Sequence, residues 1–426
     1  MTIVWVLGLL FASLLISLPI AFALAAISIF ILAINDVNLI IVAQRLHGGV
    51  NSFPLLAVPF FVLAGQIMNH AGISERLVEF ARAIVGKMKG GLSAVNIITS
   101  MFFAGMSGTS MSDTAAVGGI MIPQMIKRGY ARAFTGAVTA SSSTIGIIIP
   151  PSVPMVLLGA FLGMSTGALF AAGLLAGVML GIGLIFVGWL ISKRENYPIE
   201  EPFRLVRAIK ALGRAAPALF MPIIILGGIL GGIFTPTEAS AVAVVYGIFI
   251  GVFYYKTLSL KKLYQVFAES AILTGAVMLV TSTAYVLGFT FNYQQIADEI
   301  LKPISAMSLS PTLFLMMLSI VLIIAGTFLD GIAMMYIIVP LFYPGVKLLG
   351  IDPIHYGMVV VLCWGIGQQT PPVGAALFIT APLCETDVLT ITRANIPFII
   401  VMCVVLALTI FFPKSLVLFM PKLLGM

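Results

Sequence analysis

The fold is decided by a stretch that opens as Gly105-Met-Ser-Gly-Thr-Ser-Met-Ser-Asp-Thr114 and closes as Ser141-Ser-Ser-Thr-Ile-Gly-Ile-Ile-Ile-Pro-Pro-Ser-Val-Pro154. Glycines, hydroxyls, prolines and one carboxylate interrupt segments that are hydrophobic enough for lipid. Irregular polar backbone is tolerated at membrane depth only where protein buries it or where it lines a cavity. Two such interruptions close together predict a solute or ion site made from broken helices.

The composition is that of a membrane protein. The chain has 426 residues, of which 61% are hydrophobic and 9% are charged, and its mean hydropathy is +1.16. Soluble domains carry about 25% charged residues. The net charge of +7 comes largely from Lys and Arg in short loops between apolar blocks. This is the orientation pattern of cytoplasmic loops, and it does not indicate nucleic-acid binding.

The apolar blocks predict an all-α polytopic fold, because one crossing needs roughly 20 apolar residues. Two short spans are predicted within residues 2–34, and residues 35–51 read as a polar connection. Further spans are predicted at residues 52–68, 168–191, 218–233, 239–255, 267–289 and 394–412. Residues 74–89 predict an interfacial amphipathic helix whose apolar face is Leu77, Phe80, Ala81 and Ile84. Residues 293–304 predict a second amphipathic segment.

Two pairs of short apolar segments predict re-entrant hairpins. The first pair is 92–105 and 114–126 with its tip at 107–113, and the second is 312–329 and 331–344. The outer ends of the first pair carry basic residues and are therefore cytoplasmic: Lys87, Lys89, Lys127 and Arg128. Each hairpin is followed by a broken span. Residues 133–161 are interrupted at 144–154, and residues 356–382 are interrupted at 365–372.

The second half of the chain repeats the first. Three residue pairs are each separated by 217 positions: Pro19 and Pro236, Asp113 and Asp330, Pro123 and Pro340. The dipeptide Pro150-Pro151 also recurs as Pro371-Pro372. This pair is separated by 221 positions. A shared order and a nearly constant spacing are hard to obtain by chance.

The charges predict that the two repeats are inverted. The loop at 192–216 and the turn at Lys256, Lys261 and Lys262 are basic and therefore cytoplasmic. The second hairpin has only two cations beside three carboxylates, which indicates the opposite face: Lys302, Lys347, Asp298, Glu299 and Asp352. Inverted repeats with broken helices are the architecture of secondary transporters.

The interruptions offer hard oxygen ligands for a sodium ion, because unwound backbone exposes carbonyls and Ser and Thr add hydroxyls. The candidate sodium ligands are Ser107, Gly108, Thr109, Ser110, Thr144, Gly146, Gly326, Thr327, Gly367 and Thr370. The candidate substrate contacts are Ser110, Asp113, Ser143, Pro150, Asp330, Gln369 and Pro371. Small residues can instead serve close helix packing. Asp113 and Asp330 can instead cap the second limb of each hairpin, whereas Glu238 reads as a helix-start residue.

At these residues the chain resembles the large membrane subunit of tripartite ATP-independent periplasmic (TRAP) transporters. The matching stretches are Gly105-Met-Ser-Gly-Thr-Ser110, Ile122-Pro-Gln-Met-Ile-Lys-Arg-Gly-Tyr130, Gly146-Ile-Ile-Ile-Pro-Pro-Ser-Val-Pro154, Phe234-Thr-Pro-Thr-Glu-Ala239 and Thr370-Pro-Pro-Val-Gly374. The resemblance implies a bacterial inner-membrane permease that is not an enzyme and has no cofactor besides coupling sodium ions. It implies uptake of a carboxylate-bearing organic acid, such as sialic acid, a C4-dicarboxylate, a keto acid or a sugar acid, by an elevator-type fold.

The resemblance also implies two partners, a small membrane subunit and a periplasmic substrate-binding protein. Combined with the repeat, it divides the chain into scaffold and transport parts. Scaffold helices and an arm are expected at 1–90 and 217–305, and transport parts at 91–191 and 306–393. A cytoplasmic loop at 192–216 and a C-terminal helix at 394–426 complete the division.

Three other readings stay open at this stage. A channel or a single-chain carrier for organic anions would share the same composition. An intramembrane aspartyl protease would use Asp113 and Asp330 as a dyad that shares one proton. Neither residue lies in a Gly-x-Gly-Asp context, and the repeat explains their pairing without catalysis.

Overall fold

A computed structural model describes residues 8–9, 12–13, 18–200, 202–296, 299, 302 and 309–425. Within these ranges the chain is helical and contains no strand, apart from an isolated bridge between Lys89 and Ile199. Most of the first of the two spans predicted before residue 34, half of the amphipathic segment at 293–304, and Asp298 fall outside the described residues.

Seven of the described helices are long and apolar enough to cross a membrane, so the chain is a multi-pass membrane protein. They run at Phe53–His70, Thr166–Arg194, Leu205–Leu230, Pro236–Tyr254, Leu260–Tyr293, Pro311–Phe328 and Val388–Phe411. Large apolar side chains such as Ile182, Phe186 and Ile320 are exposed on these helices. Large exposed apolar side chains on long helices are unfavourable in water, and they match a lipid environment.

In chain order, the first half has nine helices among the described residues. Helices α1 to α4 are Ile20–Ile34, Ile40–Val50, Ala57–His70 and Ile73–Val85. Helices α5 and α6 are Gly91–Ser107 and Ser110–Lys127. Helix α7 (Arg132–Ser143) leads through a 3-10 turn at Thr144–Ile147 to α8 (Val153–Leu162), and α9 is Thr166–Arg194.

The second half follows a similar order. Helices α10 to α12 are Leu205–Leu230, Pro236–Phe249 and Leu260–Tyr293. Helices α13 to α15 are Pro311–Phe328, Gly331–Ile337 and Val339–Leu348. Helices α16 to α18 are Pro353–Gly367, Ala375–Cys384 and Val388–Phe411, and two short helices follow at Pro413–Leu416 and Phe419–Leu423.

The helix pairs predicted at 92–126 and 312–344 are present, with two differences. Only two residues, Gly108 and Thr109, separate α5 from α6, so Asp113 lies in the first turn of α6 and not in the loop. In the second pair, α14 and α15 are bent by 50° relative to each other. Pro340 in the first turn of α15 has no N–H, which explains why α14 and α15 do not form one straight helix.

Both predicted interruptions of spans occur. The first separates α7 from α8, as predicted. The second lies at residues 368–374, slightly later than predicted, because α16 continues through Gly367. Both Pro-Pro peptide bonds in these interruptions, Pro150-Pro151 and Pro371-Pro372, are cis.

Two predicted loops are largely helical. Residues 40–50 form α2, which packs on α12, where the Ser282 hydroxyl donates to the Leu46 carbonyl at 2.7 Å. The predicted loop at 192–216 shrinks to residues 195–204. Its basic residues fall on one side of α10, whereas Ala208 and Ala211 pack beside Ala83 of α4.

Helix α4 is strongly amphipathic, as predicted, but its buried face is rotated. The buried residues are Ile73, Ser74, Leu77, Val78, Ala81 and Ala83, whereas Ile84 is 39% exposed. The reason is that α5 and α10 both pack against α4, and together they decide which side is covered.

The helices pack in two groups. Helix α4 contacts both groups, and two further contacts join them, one between α3 and α5 and one between α12 and α14. Helix α12 packs on α1, α2 and α3, while α3 packs on α11. Elsewhere α7 packs on α6, α17 and α18, and α16 packs on α13 and α18. The interruptions of both broken spans lie inside this second group.

Candidate functional site

The turn between α5 and α6 lies directly against the interruption after α7. Gly108 has a φ of +66°, and an added Cβ would lie 2.7 Å from the Pro151 carbonyl oxygen. Its own carbonyl accepts a hydrogen bond from the Val153 N–H at 3.1 Å. Only glycine permits both the left-handed backbone and this close approach.

A buried carboxylate lies at the centre of this contact. The side chain of Asp113 is fully buried, and its Oδ1 accepts a hydrogen bond from the Ser107 hydroxyl. Its Oδ2 is buried and has no hydrogen-bond partner. A Cβ added at Gly146 would collide with this oxygen. An unpaired charge in such a place costs several kcal/mol unless a cation accompanies it.

Other oxygens surround the Asp113 carboxylate. The hydroxyls of Ser110 and Ser143 share a hydrogen bond at 3.1 Å. The Thr109 carbonyl oxygen faces Gly146, where an added Cβ would lie 3.2 Å from it. Of the candidate residues of the first half, the structure therefore brings together Ser107, Gly108, Thr109, Ser110, Asp113, Ser143 and Gly146. Pro150 lies in the facing interruption, and its carbonyl is directed towards Gly105.

The second half makes a similar contact between helix pair and interruption. The Thr327 carbonyl accepts a hydrogen bond from the Val373 N–H at 2.9 Å. The backbones of Gly326 and Gly367 touch, since a Cβ at Gly367 would lie 2.8 Å from the Gly326 Cα. The hydroxyls of Thr327 and Thr370 donate to backbone carbonyls of their own helices. Their oxygens therefore keep lone pairs for another partner.

The two aspartates have different surroundings. Asp330 is exposed and caps α14, with its Oδ2 accepting from the Ile332 N–H at 3.1 Å. Capping is thus confirmed for Asp330 and wrong for Asp113, whose side chain does not cap α6. They share no hydrogen bond, so the described residues contain no carboxylate dyad of the aspartyl-protease kind. Glu238 forms the predicted helix start as a capping box with Thr235.

A buried polar network joins the two interruptions. The Gln369 amide nitrogen donates to the Ala140 carbonyl at 2.6 Å and to the Thr144 hydroxyl at 2.8 Å. The Gln369 carbonyl oxygen accepts from the Asn395 amide at 3.2 Å, and Asn395 in turn accepts from the Ser141 hydroxyl. These bonds are internal to the protein, and the predicted role of Gln369 as a substrate contact stays a prediction.

Sequence reasoning missed Asn395. The signal was present, because Asn395 is an amide within a strongly apolar span, and such side chains usually bond to another helix. Pro371 lies in the second interruption and is partly exposed. The described residues contain no cluster of three or more His, Cys, Asp or Glu side chains that could hold a metal ion.

Comparison with known proteins identifies the family. The profile of the family described as "Tripartite ATP-independent periplasmic transporter, DctM component" matches residues 7–415. The chain belongs to the DctM family. The resemblance noted in the sequence is thereby confirmed, and this permease is a multi-pass inner-membrane transport protein and not an enzyme.

Several curated relatives are similar to this chain, two of them over most of their own length. The sialic acid TRAP transporter large permease protein SiaM of Vibrio cholerae is 36% identical over 98% of this chain and 97% of its own. The C4-dicarboxylate TRAP transporter large permease protein DctM of Pseudomonas aeruginosa is 38% identical over 88% of this chain and 87% of its own. The isethionate TRAP transporter permease protein DctMQ of Oleidesulfovibrio alaskensis is 34% identical, and the match covers 94% of this chain and 63% of that one.

Two solved structures share the fold at low sequence identity. The YdaH transporter of Alcanivorax borkumensis has a TM-score of 0.63 at 16% identity, covering 88% of this chain and 89% of its own. MtrF of Neisseria gonorrhoeae has a TM-score of 0.60 at 12% identity, covering 88% and 85%. The predicted transporter fold is therefore confirmed at the level of an all-helical membrane transporter.

Proposed function

We propose that this permease couples the entry of sodium ions to the uptake of a carboxylate-bearing organic acid. Relatives named for sialic acid and for C4-dicarboxylates transport molecules of this chemical class. The observation that carries the proposal is the unpaired Oδ2 of Asp113. Among the described residues this buried carboxylate oxygen has no partner, so a cation or a proton must neutralise its charge. A sodium ion fits here, because it prefers hard oxygen ligands and several surround the carboxylate.

The first sodium ion would be held at the turn between α5 and α6. Asp113 Oδ2 would be the charged ligand, and the Thr109 carbonyl and the hydroxyls around Ser110 would complete the shell. The close approach of Gly146 keeps this space free of side-chain carbon. Ser107 would orient the carboxylate by donating to its other oxygen.

A second sodium ion would be held by neutral oxygens of Gly326, Thr327, Gly367 and Thr370. Among the described residues, no carboxylate faces that turn as Asp113 faces the first one, because the Asp330 side chain instead caps the start of α14. We expect the second site to bind sodium more weakly than the first, since the attraction of a formal charge is missing. The substrate carboxylate would bind near the two interruptions.

The proposed movement is that of an elevator built on inverted repeats. The hydrogen bond from Val153 to Gly108 in the first half has a counterpart from Val373 to Thr327 in the second, which supports a structural repeat. The proposed moving part comprises residues 91–191 and 306–393, and the scaffold comprises 1–90 and 217–305. The connection at 192–216 and the C-terminal helix at 394–426 would complete this division. The separate packing of α5–α9 with α16–α18 supports it.

The permease would work with a small membrane subunit and a periplasmic binding protein. The family description, a tripartite periplasmic system, supports this partnership. A small subunit would enlarge the scaffold, whose helices expose many apolar side chains such as Phe22 and Phe30 of α1. The binding protein would deliver the substrate and select much of the specificity, so the identity of the organic acid depends on another chain.

The test is reconstitution into liposomes with an inward sodium gradient. Permease, small subunit and loaded binding protein are expected to give saturable, sodium-dependent uptake of sialic acid or of a C4-dicarboxylate. Asp113→Asn is expected to raise the sodium concentration for half-maximal uptake by at least about 10-fold, because a charged ligand is lost. The matched control is Asp352→Asn, since Asp352 caps α16 and Asn caps equally well.

Three results would overturn the proposal. Non-saturating flux would indicate a channel. Uptake that is equal without sodium would remove the coupling. Full uptake by the permease alone would indicate a single-chain carrier and would remove the need for partners.

A further inference from the structure

A cavity away from the proposed sodium sites is lined by charged residues. It has a volume of about 510 Å³ and lies between α4, α6 and α10. Four cations and two carboxylates line it: Arg82, Arg207, Lys210, Arg214, Glu75 and Glu79. Gln124 on its wall follows Ser110 by 14 residues on one helix, or about 21 Å at 1.5 Å per residue, so the cavity is remote from the proposed sodium site.

We propose that this basic cavity binds the headgroup of an anionic phospholipid. The cations of α10 are spaced so that they share one face, since Arg207, Lys210 and Arg214 follow one another at three and four residues. Arg214 lies 3.5 Å from Glu79, and the Arg82 guanidinium donates to the Gln124 side chain at 2.8 Å. Arg82 also lies 3.8 Å from the Glu200 carboxylate. Four cations therefore face three carboxylates, and the remaining positive charge favours an anionic ligand.

The same turns of α10 also carry an apolar edge. Leu205, Val206 and Ile209 are all largely exposed, and Val206 is 80% exposed. Behind them Ala208 and Ala211 form the seam with α4. The exposed surface of α10 therefore carries apolar side chains and basic side chains next to each other in the same turns. Such a surface matches the boundary between lipid acyl chains and phosphates.

Aromatic side chains mark the same depth in the membrane. Tyr254 and Tyr255 line a neighbouring cavity together with Arg214, Glu75 and Glu79. The Arg76 guanidinium stacks on the Tyr255 ring at 3.9 Å. Tyrosines are enriched at the level of the lipid headgroups. A lipid in the basic cavity can thus place its phosphate among the cations and its acyl chains along Leu205 and Ile209.

The experiment is native mass spectrometry of the full chain from micelles that contain phosphatidylglycerol and phosphatidylcholine in equal amounts. The wild type is expected to retain phosphatidylglycerol in preference, by about 10-fold for charge-assisted bonds to one phosphate. The double variant Arg207→Gln/Lys210→Gln should lose this preference. The matched control Lys127→Gln/Lys261→Gln removes two charges at the same predicted membrane face and should keep it.

A variant that should increase lipid retention distinguishes an effect on binding from a general loss of structure. Glu75→Gln removes a carboxylate from the cavity wall and should increase the retention of phosphatidylglycerol, which no general loss of structure can produce. Equal retention by the double variant and the control would overturn the proposal. So would displacement of the bound lipid by millimolar succinate or inorganic phosphate, because the cavity would then serve a soluble anion.

Discussion

The Gln369 side chain donates a hydrogen bond of 2.8 Å to the Thr144 hydroxyl, a residue 225 positions earlier in the chain. This bond joins the interruption that follows α16 to the one that follows α7. The same amide nitrogen reaches the Ala140 carbonyl at the end of α7. Two regions that we propose as separate sodium sites are thus connected by one buried side chain, and a change at one can reach the other through it.

We expect Gln369→Leu to weaken this connection. The substitution leaves the Ala140 carbonyl and the Asn395 amide without their present partner, which costs about 1–3 kcal/mol for each buried group. Thermal unfolding in detergent should detect the loss, and the sodium dependence of uptake should become less cooperative. Gln265→Leu is the matched control, because the exposed Gln265 amide bonds to Glu269 within α12 and lies outside both interruptions. A Gln369 variant as stable and as cooperative as the control would contradict the connection.

The two aspartates should respond differently to the same substitution. Asp330→Asn keeps a good capping group, so stability and sodium dependence should stay close to those of the wild type. Asp330→Ala should cost about 1 kcal/mol of stability, the usual effect of a lost cap. Asp113→Asn should change the sodium dependence instead. Equal sodium shifts for Asp113→Asn and Asp330→Asn would show that capping is not the main role of Asp330.

Loss of a threonine hydroxyl should weaken the second sodium site. Thr327→Val and Thr370→Val each remove one oxygen while they keep the side-chain shape. Losing one bond to an ion costs about 1.5–3 kcal/mol, or roughly 10- to 150-fold in the sodium concentration for half-maximal uptake. Thr380→Val is the control, since its hydroxyl makes a similar bond to a backbone carbonyl inside α17. If all three variants keep the wild-type sodium dependence, the second site lies elsewhere.

The orientation of the chain can be read from the two ends of α12. This helix has 34 residues, or about 51 Å at 1.5 Å per residue, so Lys261 and Asn292 must lie on opposite sides of the membrane. In a background without the native cysteines, Lys261→Cys should react with an impermeant thiol reagent only from the cytoplasm. Asn292→Cys should react only from the periplasm. Reversed labelling would invert the whole topology, and labelling of both from one side would exclude α12 as a span.

Local chemistry determines which features the sequence can predict. The turn at Gly108 and the interruption at Pro150 follow from glycine and proline, whose effects on the backbone need no distant partner. The contact of Gln369 with Thr144 joins residues that are far apart in the chain, and no pattern within either segment encodes it. The exposure of Ile84 likewise depends on α10, which follows α4 by more than a hundred residues. The basic residues at 205–214 predicted a loop, but they belong to α10. Ala208 and Ala211 of this helix pack against Ala83 of α4, and the sequence around them does not reveal that partner.

The space beside Asp113 gives the most direct test of a cation at the first site. Gly146 lies against the unpaired oxygen, and a single added methyl group would occupy the position next to it. Gly146→Ala should therefore remove sodium-dependent uptake, with a loss of at least about 100-fold, because at least one charge-assisted bond is lost and the shell is distorted.

Gly119→Ala is the matched control for this substitution. Gly119 lies on the same helix α6, nine residues after Ser110, and an added Cβ there meets no atom within 4 Å. Alanine is a better helix former than glycine by about 1 kcal/mol, so this control should be as stable as the wild type or more stable. Sodium-dependent stabilisation against heat gives a second readout that does not require transport. Sodium should raise the unfolding temperature of the wild type and of Gly119→Ala, and it should leave that of Gly146→Ala unchanged. A Gly146→Ala protein that sodium still stabilises would show that the ion binds away from the Asp113 carboxylate.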